Sequence, residues 1–93
     1  MIGVVATDAT LDKGQCQKLA SIAHDGLARC VSPAHTPFDG DTLFALSIGT
    51  RPASLALLGA LATDVTARAA VHAVEHAIGR PGCPAARDRA GLL

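Results

Sequence analysis

The sequence contains only two runs that are typical of β-strands, and a helical pattern follows each of them. The first run, residues 2–7, is Ile-Gly-Val-Val-Ala-Thr, and the second, residues 42–48, is Thr-Leu-Phe-Ala-Leu-Ser-Ile. Such nearly continuous apolar runs indicate strands that are covered on both faces. Because two strands do not make a stable sheet alone, the order strand-helix-strand-helix predicts half of a layered α/β structure, completed by another chain or by a further part of the same gene product.

The composition also indicates a core that is completed from outside. The chain has 93 residues, of which 49% are hydrophobic but only 2% aromatic, with no Trp and no Tyr. Small chains bury a small fraction of their surface, and Ala, Val, Leu and Ile each bury little area. We therefore expect this chain to pack against something else.

The segment after the first strand predicts one amphipathic helix. Asp12 is the expected N-cap, because Gln15 follows three residues later as in a capping box. Apolar residues then recur at spacings of three and four as far as Cys30, and Pro33 ends the pattern. Cys16 and Cys30 lie on the apolar side, so both thiols are expected to be buried.

The second helix is expected to begin after Ser54 or Thr50 and to run to about Ile78. It is apolar almost all round, which is typical of a helix buried on more than one side. The domain is expected to cover residues 1–80. Residues 81–93, which are rich in Ala, Arg, Pro and Gly, are expected to form a flexible tail.

Charge and cysteine content exclude some classes of partner. Eight basic and eight acidic residues cancel, so neither nucleic acid nor an anionic membrane is expected to bind. The longest apolar stretch, residues 53–62, is too short to span a bilayer, and no signal peptide precedes it. Three cysteines, an odd number, argue against a disulfide framework and for a reducing, cytoplasmic location.

Histidines offer a metal pattern that we discount. His72, Glu75 and His76 match His-x-x-Glu-His, but the third ligand usually lies well downstream and the chain ends at residue 93. His24 and His35 stand in no local motif with Ser or Cys and are interpreted as a helix residue and a loop residue. No Gly-rich phosphate loop is present, so we predict neither a metal nor a cofactor.

Two carboxylates flank a glycine just before the second strand, in Asp39-Gly40-Asp41. Gly40 permits a tight backbone there, so that both side chains can point toward one pocket. Such a pair can hold an amine, orient a hydroxyl or share a proton. The same three residues are also ordinary turn formers, so a solvated turn is the competing interpretation.

Three longer segments give the pair a context. Residues 4–9, residues 17–29 and residues 35–47, in this order, resemble the C-terminal part of the DmpA-type L-aminopeptidase/D-esterase peptidases, which include the β-peptidyl aminopeptidases. The resemblance covers about residues 2–66. It implies a four-layer αββα sandwich built from two chains, of which this one would be the smaller, C-terminal β-chain.

The resemblance also implies a mechanism and partners. Family members cleave themselves from a precursor, and the new N-terminal Ser or Thr of the smaller chain is the nucleophile, with its own α-amino group as general base. The implied partners are the N-terminal α-chain of the same precursor, further copies of that heterodimer, and a peptide substrate.

Site residues follow from the resemblance as well. A Ser-Gly-Glu or similar triplet ahead of the second strand supports the nucleophile in the β-peptidyl branch, and the matching triplet here is Asp39-Gly40-Asp41. Asp39, which departs from the Ser of that branch, would orient the nucleophile. Asp41 would bind the ammonium group of the nucleophile or of the substrate. The first strand places the expected hydroxyl at Met1 or one residue before it, so the chain as written is expected to be inactive alone.

Three functions therefore remain open. The first is the C-terminal subunit of an autoprocessing aminopeptidase that hydrolyses N-terminal residues from peptides, amides or esters. The second is a non-catalytic, truncated interaction module with the same fold. The third is acyl transfer of the ornithine acetyltransferase kind, which ranks last because residues 35–47 resemble the peptidase branch.

Overall fold

The computed structural model describes residues 1–89 and has the predicted order of strands and helices. The elements are β1 (Ile2–Ala9), α1 (Lys13–Ala23), α2 (Asp25–Cys30), β2 (Thr42–Arg51), α3 (Leu55–His76) and a 3-10 turn (Ala86–Arg89). Both strands run two or three residues beyond the apolar runs that predicted them. The chain is therefore a small α/β structure, as expected.

The two strands form a parallel pair. Ile2 lies opposite Thr42, and the pairing continues to Thr7 opposite Ser47 before a bulge shifts the register. A parallel pair needs a crossover between its strands, and α1 and α2 provide it. At the bulge a side chain at Gly49 would overlap the Asp8 carbonyl, so the two backbones approach as closely as only glycine allows.

The predicted capping box at the start of α1 is confirmed. The Gln15 amide donates to Asp12 Oδ1 at 2.7 Å, and the Asp12 amide donates to Gln15 Oε1 at 3.0 Å. This exchange satisfies two amides that would otherwise lack a partner at the helix end. A signal carried by two residues three positions apart was therefore sufficient to locate this end.

The single helix predicted from Asp12 to Pro33 is wrong, because the helical path breaks at His24. The Leu27 amide donates to the His24 carbonyl three residues back, which tightens the turn between α1 and α2. This break disturbs the spacing that would have kept Cys30 on the apolar face. Cys30 is exposed and Cys16 is half-buried, so the predicted burial of both thiols is also wrong in this chain.

Of the two predicted caps of α3, Ser54 and Thr50, the structure has Ser54. Its Oγ accepts a hydrogen bond from the Leu57 amide at 3.4 Å, and the helix ends at His76, two residues before the predicted end. One side of α3 is buried against the other helices, through Gly59, Ala62, Thr63, Thr66 and Ala70. Leu57, Leu61 and Val65, by contrast, are 58%, 52% and 58% exposed. Within residues 1–89 the helix is thus covered on one side, not on several.

The length of α3 bears on the membrane prediction. The helix has 22 residues and contains an 18-residue window with a mean hydropathy of 1.2, so it is long and apolar enough to cross a bilayer on those two criteria. The apolar stretch that the sequence indicates at residues 53–62 is therefore shorter than the apolar helix in the structure. Core helices of soluble proteins meet the same criteria. The absence of a membrane partner stays a prediction.

The core lies on one face of the sheet only. Leu19, Ala23 and Ala62 are buried at its centre, and the half-buried side chains packed around them are Val5, Leu11, Leu43, Ala45, Leu55 and Leu58. The opposite face exposes Ile2, Val4, Phe44, Leu46 and Ile48. Within residues 1–89 the helices all pack on the same side and leave this second face uncovered. That it is covered by another chain stays a prediction.

Residues after α3 turn back toward its end. Arg80 and Cys83 form an antiparallel bridge, and the Ala85 amide donates to Asp88 Oδ2 at 2.9 Å. Residues 90–93, part of the predicted flexible tail at 81–93, lie outside the described residues. The flexibility of that tail stays a prediction.

Candidate active site

The candidate site lies where the two strands begin, because their register brings Met1 beside Asp41. The Met1 ammonium donates to Asp41 Oδ1 at 2.7 Å, and the Thr42 amide donates to the Met1 carbonyl at 2.9 Å. These contacts join residues that are 40 and 41 positions apart in sequence. The parallel pairing therefore delivers the first amine of the chain to one of the two predicted carboxylates.

This ion pair is short but partly open to water. The side chains of Met1 and Asp41 are 42% and 23% exposed. A charge-assisted hydrogen bond of 2.7 Å is a strong type of contact, but ion pairs near the surface typically contribute about 0–1 kcal/mol to stability. The contact therefore defines a position for an amine more than it stabilises the fold.

Asp39 has a different set of contacts. Its Oδ2 accepts hydrogen bonds from the Thr36 amide at 2.8 Å and from the Thr36 hydroxyl at 3.0 Å. These bonds, the backbone one first, hold the pKa of the Asp39 carboxyl below its ordinary value, and the nearby charges of His35 and the N-terminus act in the same direction. Within residues 1–89 the Asp39 carboxylate therefore accepts hydrogen bonds from Thr36, whereas the Asp41 carboxylate accepts one from the Met1 amine.

The glycine between them is not required by local crowding. A side chain at Gly40 would meet no atom within 4 Å, and its φ angle lies outside the left-handed region. The tight backbone that the sequence predicts at Gly40 is therefore not observed. The residue with a positive φ in this loop is His35, at 59°.

Sequence reasoning did not connect His24 with this site. The His24 ring lies with its Nε2 3.4 Å from the Asp41 carbonyl oxygen and with its centre 4.7 Å from that of His35. His24 closes α1, and 16 residues separate it from Asp41 in the chain. A break in the helix places the ring here, and the regular three-and-four spacing of the sequence carries no signal for such a break.

An apolar cavity is lined in part by Met1. It is open, has a volume of about 300 Å³, and lies between the end of α2 and the face of α3 beside Met1. The lining residues are Met1, Cys30, Val31, Ala70, Val71, Val74 and Glu75. The site therefore combines a carboxylate that holds an amine with room for an apolar group next to it.

Metal chemistry has no visible support in the described part of the chain. No group of three or more His, Cys, Asp or Glu side chains within residues 1–89 is arranged to hold a metal ion. In the discounted pattern on α3, His76 Nδ1 lies 3.0 Å from the His72 carbonyl oxygen, so the backbone already engages that nitrogen. That no metal or cofactor is needed stays a prediction.

Comparison with known proteins places these features in a family. The model of peptidase family S58 matches residues 1–90, nearly the whole chain. The chain belongs to peptidase family S58.

Curated relatives of this S58 chain come from mycobacteria. Uncharacterised aminopeptidases of Mycobacterium bovis and Mycobacterium tuberculosis are each 44% identical to it over 102 residues, which cover 94% of this chain and 30% of the relative. One of Mycobacterium leprae is 45% identical over 98 residues, covering 89% of this chain and 27% of the relative. The S58 chain thus spans about 30% of the length of these relatives. No solved structure matches it.

Proposed function

We propose that this S58 chain is the C-terminal subunit of a DmpA-type, autoprocessing aminopeptidase that removes N-terminal residues from peptides, amides or esters. The observation that carries the proposal is the contact between the Met1 amine and the Asp41 carboxylate, 2.7 Å apart at the start of the parallel strands. Membership of a peptidase family and the aminopeptidase names of the mycobacterial relatives support the same reaction class.

The proposed chemistry is acyl transfer to an N-terminal hydroxyl. A Ser or Thr hydroxyl at the start of β1 attacks the substrate carbonyl while the α-amino group of the same residue accepts its proton. The released amine takes that proton, and water then hydrolyses the ester that joins substrate and enzyme. The thioether of Met1 carries no proton to give up, so the proposal places the nucleophile in a hydroxyl residue at this position or immediately before it.

In this scheme the two carboxylates have separate roles. Asp41 holds the Met1 amine in this chain. In the proposed subunit it would hold the α-amino group of the hydroxyl residue in the same way and so orient the general base. Asp39 accepts two hydrogen bonds from Thr36 and shapes the loop that leads into Asp41. This division assigns the catalytic contact to Asp41 and a positioning task to Asp39.

Two features support a partner chain. The sheet face opposite the core, called the outer face below, exposes large apolar side chains, among them Val4 at 64% and Phe44 at 59%. The relatives are about three times as long as the part of them that this chain matches. We propose that the α-chain of the same precursor covers this face and completes a four-layer αββα sandwich, and that such heterodimers assemble further.

The test is peptidase activity of the whole polypeptide that the native gene produces. Release of p-nitroaniline from amino-acid p-nitroanilides measures kcat and KM, and mass spectrometry of the purified chains identifies the N-terminal residue of the smaller one. We expect Asp41→Asn to lower kcat/KM about 100-fold, the range for losing a group that assists proton transfer. Asp64→Asn, which removes only the exposed pair with Arg68, is the matched control and should leave activity unchanged. Unaltered activity of Asp41→Asn would refute the proposal.

A second candidate, a non-catalytic module of the same fold, draws on the identity of residue 1. The group that Asp41 holds belongs to Met1, which has no hydroxyl. The nucleotide sequence upstream of Met1 separates the two candidates. A Ser or Thr codon directly before Met1, in frame with several hundred further residues, supports the enzyme, whereas a stop codon there supports the module.

A further inference from the structure

We infer that His24 is a positioning residue for Asp41, holding the main chain of the residue whose carboxylate holds the amine. The placement stands on the described contacts, and its catalytic consequence rests on the proposed function. The inference concerns a histidine that lies 17 positions before Asp41 in the chain.

The backbone of His24 is anchored on both sides. Its amide donates to the Ala20 carbonyl at 3.1 Å as the cap of α1, and its carbonyl accepts from the Leu27 amide at 3.1 Å. Ala23 is fully buried and Leu27 is 2% exposed. The ring therefore projects from a rigid point between two packed helices, which suits a group that has to hold another in place.

The contact from this ring reaches the main chain of Asp41. Nε2 lies 3.4 Å from the Asp41 carbonyl oxygen, which is long for a hydrogen bond between nitrogen and oxygen. The other nitrogen, Nδ1, is buried and has no partner among the described residues. A proton on Nε2 donates to the carbonyl, whereas a proton on Nδ1 would leave a buried donor unsatisfied and set two lone pairs against each other. The geometry thus selects the tautomer that donates to Asp41.

The unpartnered Nδ1 of His24 indicates that a histidine at this position does not serve stability. A buried polar atom without a partner typically costs about 1–3 kcal/mol, so an apolar side chain here would serve stability better. What the imidazole supplies in return is a donor to the residue that carries the site carboxylate. Asp41 is then held at two points, by His24 at its carbonyl and by Met1 at its carboxylate, while the His35 ring lies against His24.

Side chains of different reach test which nitrogen acts. In His24→Gln the amide nitrogen reaches about as far as Nε2, in His24→Asn it reaches only as far as Nδ1, and His24→Leu has no donor. In the whole polypeptide we expect His24→Leu and His24→Asn to lower kcat/KM about tenfold, because small displacements of catalytic groups have effects of this size. His24→Gln should restore it to within about threefold of the original, given the looser fit of an amide. Equal activity of the Gln and Asn variants would overturn the inference.

A second measurement does not depend on hydrolysis. Trinitrobenzene sulfonate modifies free amines, and peptide mass spectrometry follows Met1 separately from the exposed Lys13 and Lys18, which serve as internal references in the 93-residue chain. We expect Asp41→Asn and His24→Leu to raise the Met1 rate about threefold relative to the lysines, the effect of losing a surface ion pair. His24→Gln should match the unmodified chain. Circular dichroism of each variant confirms that the helices are retained.

The two measurements test the positioning role and the proposed function independently. An unchanged Met1 rate in His24→Leu, with Asp41→Asn responding, would overturn the positioning role. If the whole polypeptide lacks peptidase activity but the Met1 rates follow the expected order, the proposed function fails and the positioning of Asp41 by His24 stands.

Discussion

The two faces of the parallel sheet differ in how far the helices of residues 1–89 cover them. On the inner face Val5, Leu43 and Ala45 pack against Leu19, which is 1% exposed. On the outer face Ile2 is 79% exposed and Ile48 is 74% exposed. Contiguous apolar patches of this kind on a soluble protein usually mark an interface. The inner face therefore carries the core of residues 1–89, whereas the outer face is the one that the proposed α-chain would cover.

The largest expected effect separates the two faces directly. Leu19→Ala should lower the free energy of unfolding by about 3 kcal/mol, because it opens a cavity at the centre of the inner core. Leu46→Ala, on the outer face where the side chain is 46% exposed, is the matched control. It should cost less than about 1 kcal/mol in the 93-residue chain, as for other exposed sites. Urea unfolding followed by circular dichroism measures both. Equal losses would contradict the contrast between the faces.

A second, smaller effect tests how closely the helices on the inner side approach each other. A side chain at Gly26 would overlap the Thr63 carbonyl oxygen and lie 2.9 Å from Thr66 Cβ. Gly26→Ala should therefore destabilise the chain by about 2 kcal/mol, despite the better helix propensity of Ala. Gly40→Ala, where nothing lies within 4 Å, is the control and should change stability little. Thermal unfolding of the two variants decides, and a Gly26→Ala variant as stable as the original would refute the close packing.

The third effect concerns the outer face and leaves folding nearly unchanged. Phe44→Ser removes a large apolar side chain that is 59% exposed and should change the free energy of unfolding by less than about 1 kcal/mol. Binding of the fluorescent dye ANS to the 93-residue chain should fall, because the exposed apolar patch becomes smaller. Phe38→Ser is a useful control, since Phe38 is 95% exposed but lies in the loop before β2. If Phe44→Ser left dye binding unaltered, the outer face would not be the accessible apolar surface.

The smallest effect is a dependence on pH in the loop that leads into the sheet. The Thr36 hydrogen bonds lower the pKa of Asp39, so the charged form is favoured in the folded chain. Their contribution is fully present above the ordinary pKa of an Asp and is lost as pH falls through the lowered value. The NMR shift of the Thr36 amide should therefore titrate below the ordinary range of an Asp, and in Asp39→Asn it should not titrate with this group. A midpoint at or above the ordinary value would contradict the turn.

Local signals in the sequence were sufficient where the interaction is itself local. The Asp12–Gln15 capping box and the Ser54 cap involve residues within three positions of each other, and both were predicted and observed. The break at His24 was missed because apolar spacing continues through it. Beyond the break, α2 packs against α3, with a close approach at Gly26.

At the candidate site, too, local sequence signals do not predict every contact of Asp39 and Asp41. The motif predicts that Asp39 and Asp41 act together, and the resemblance assigns Asp41 to an ammonium group and Asp39 to the nucleophile, but neither predicts that Asp39 bonds to Thr36. The Asp39 carboxylate accepts a hydrogen bond from the Thr36 amide, whereas Asp41 lies one residue before the strand that pairs with β1. Local turn geometry therefore determines the contacts of Asp39, and strand register determines those of Asp41.

By itself the sequence determined the α/β class, the order of strands and helices, two helix caps, the family resemblance and the segment that carries the candidate site. These properties depend on residue type and short spacing, which act over a few positions of the chain. Only the tertiary structure decided which sheet face is covered, that His24 reaches Asp41, and that the Met1 amine is the group that Asp41 holds. Those contacts join residues 17 and 40 positions apart, and they exist because parallel pairing and helix packing bring distant segments together.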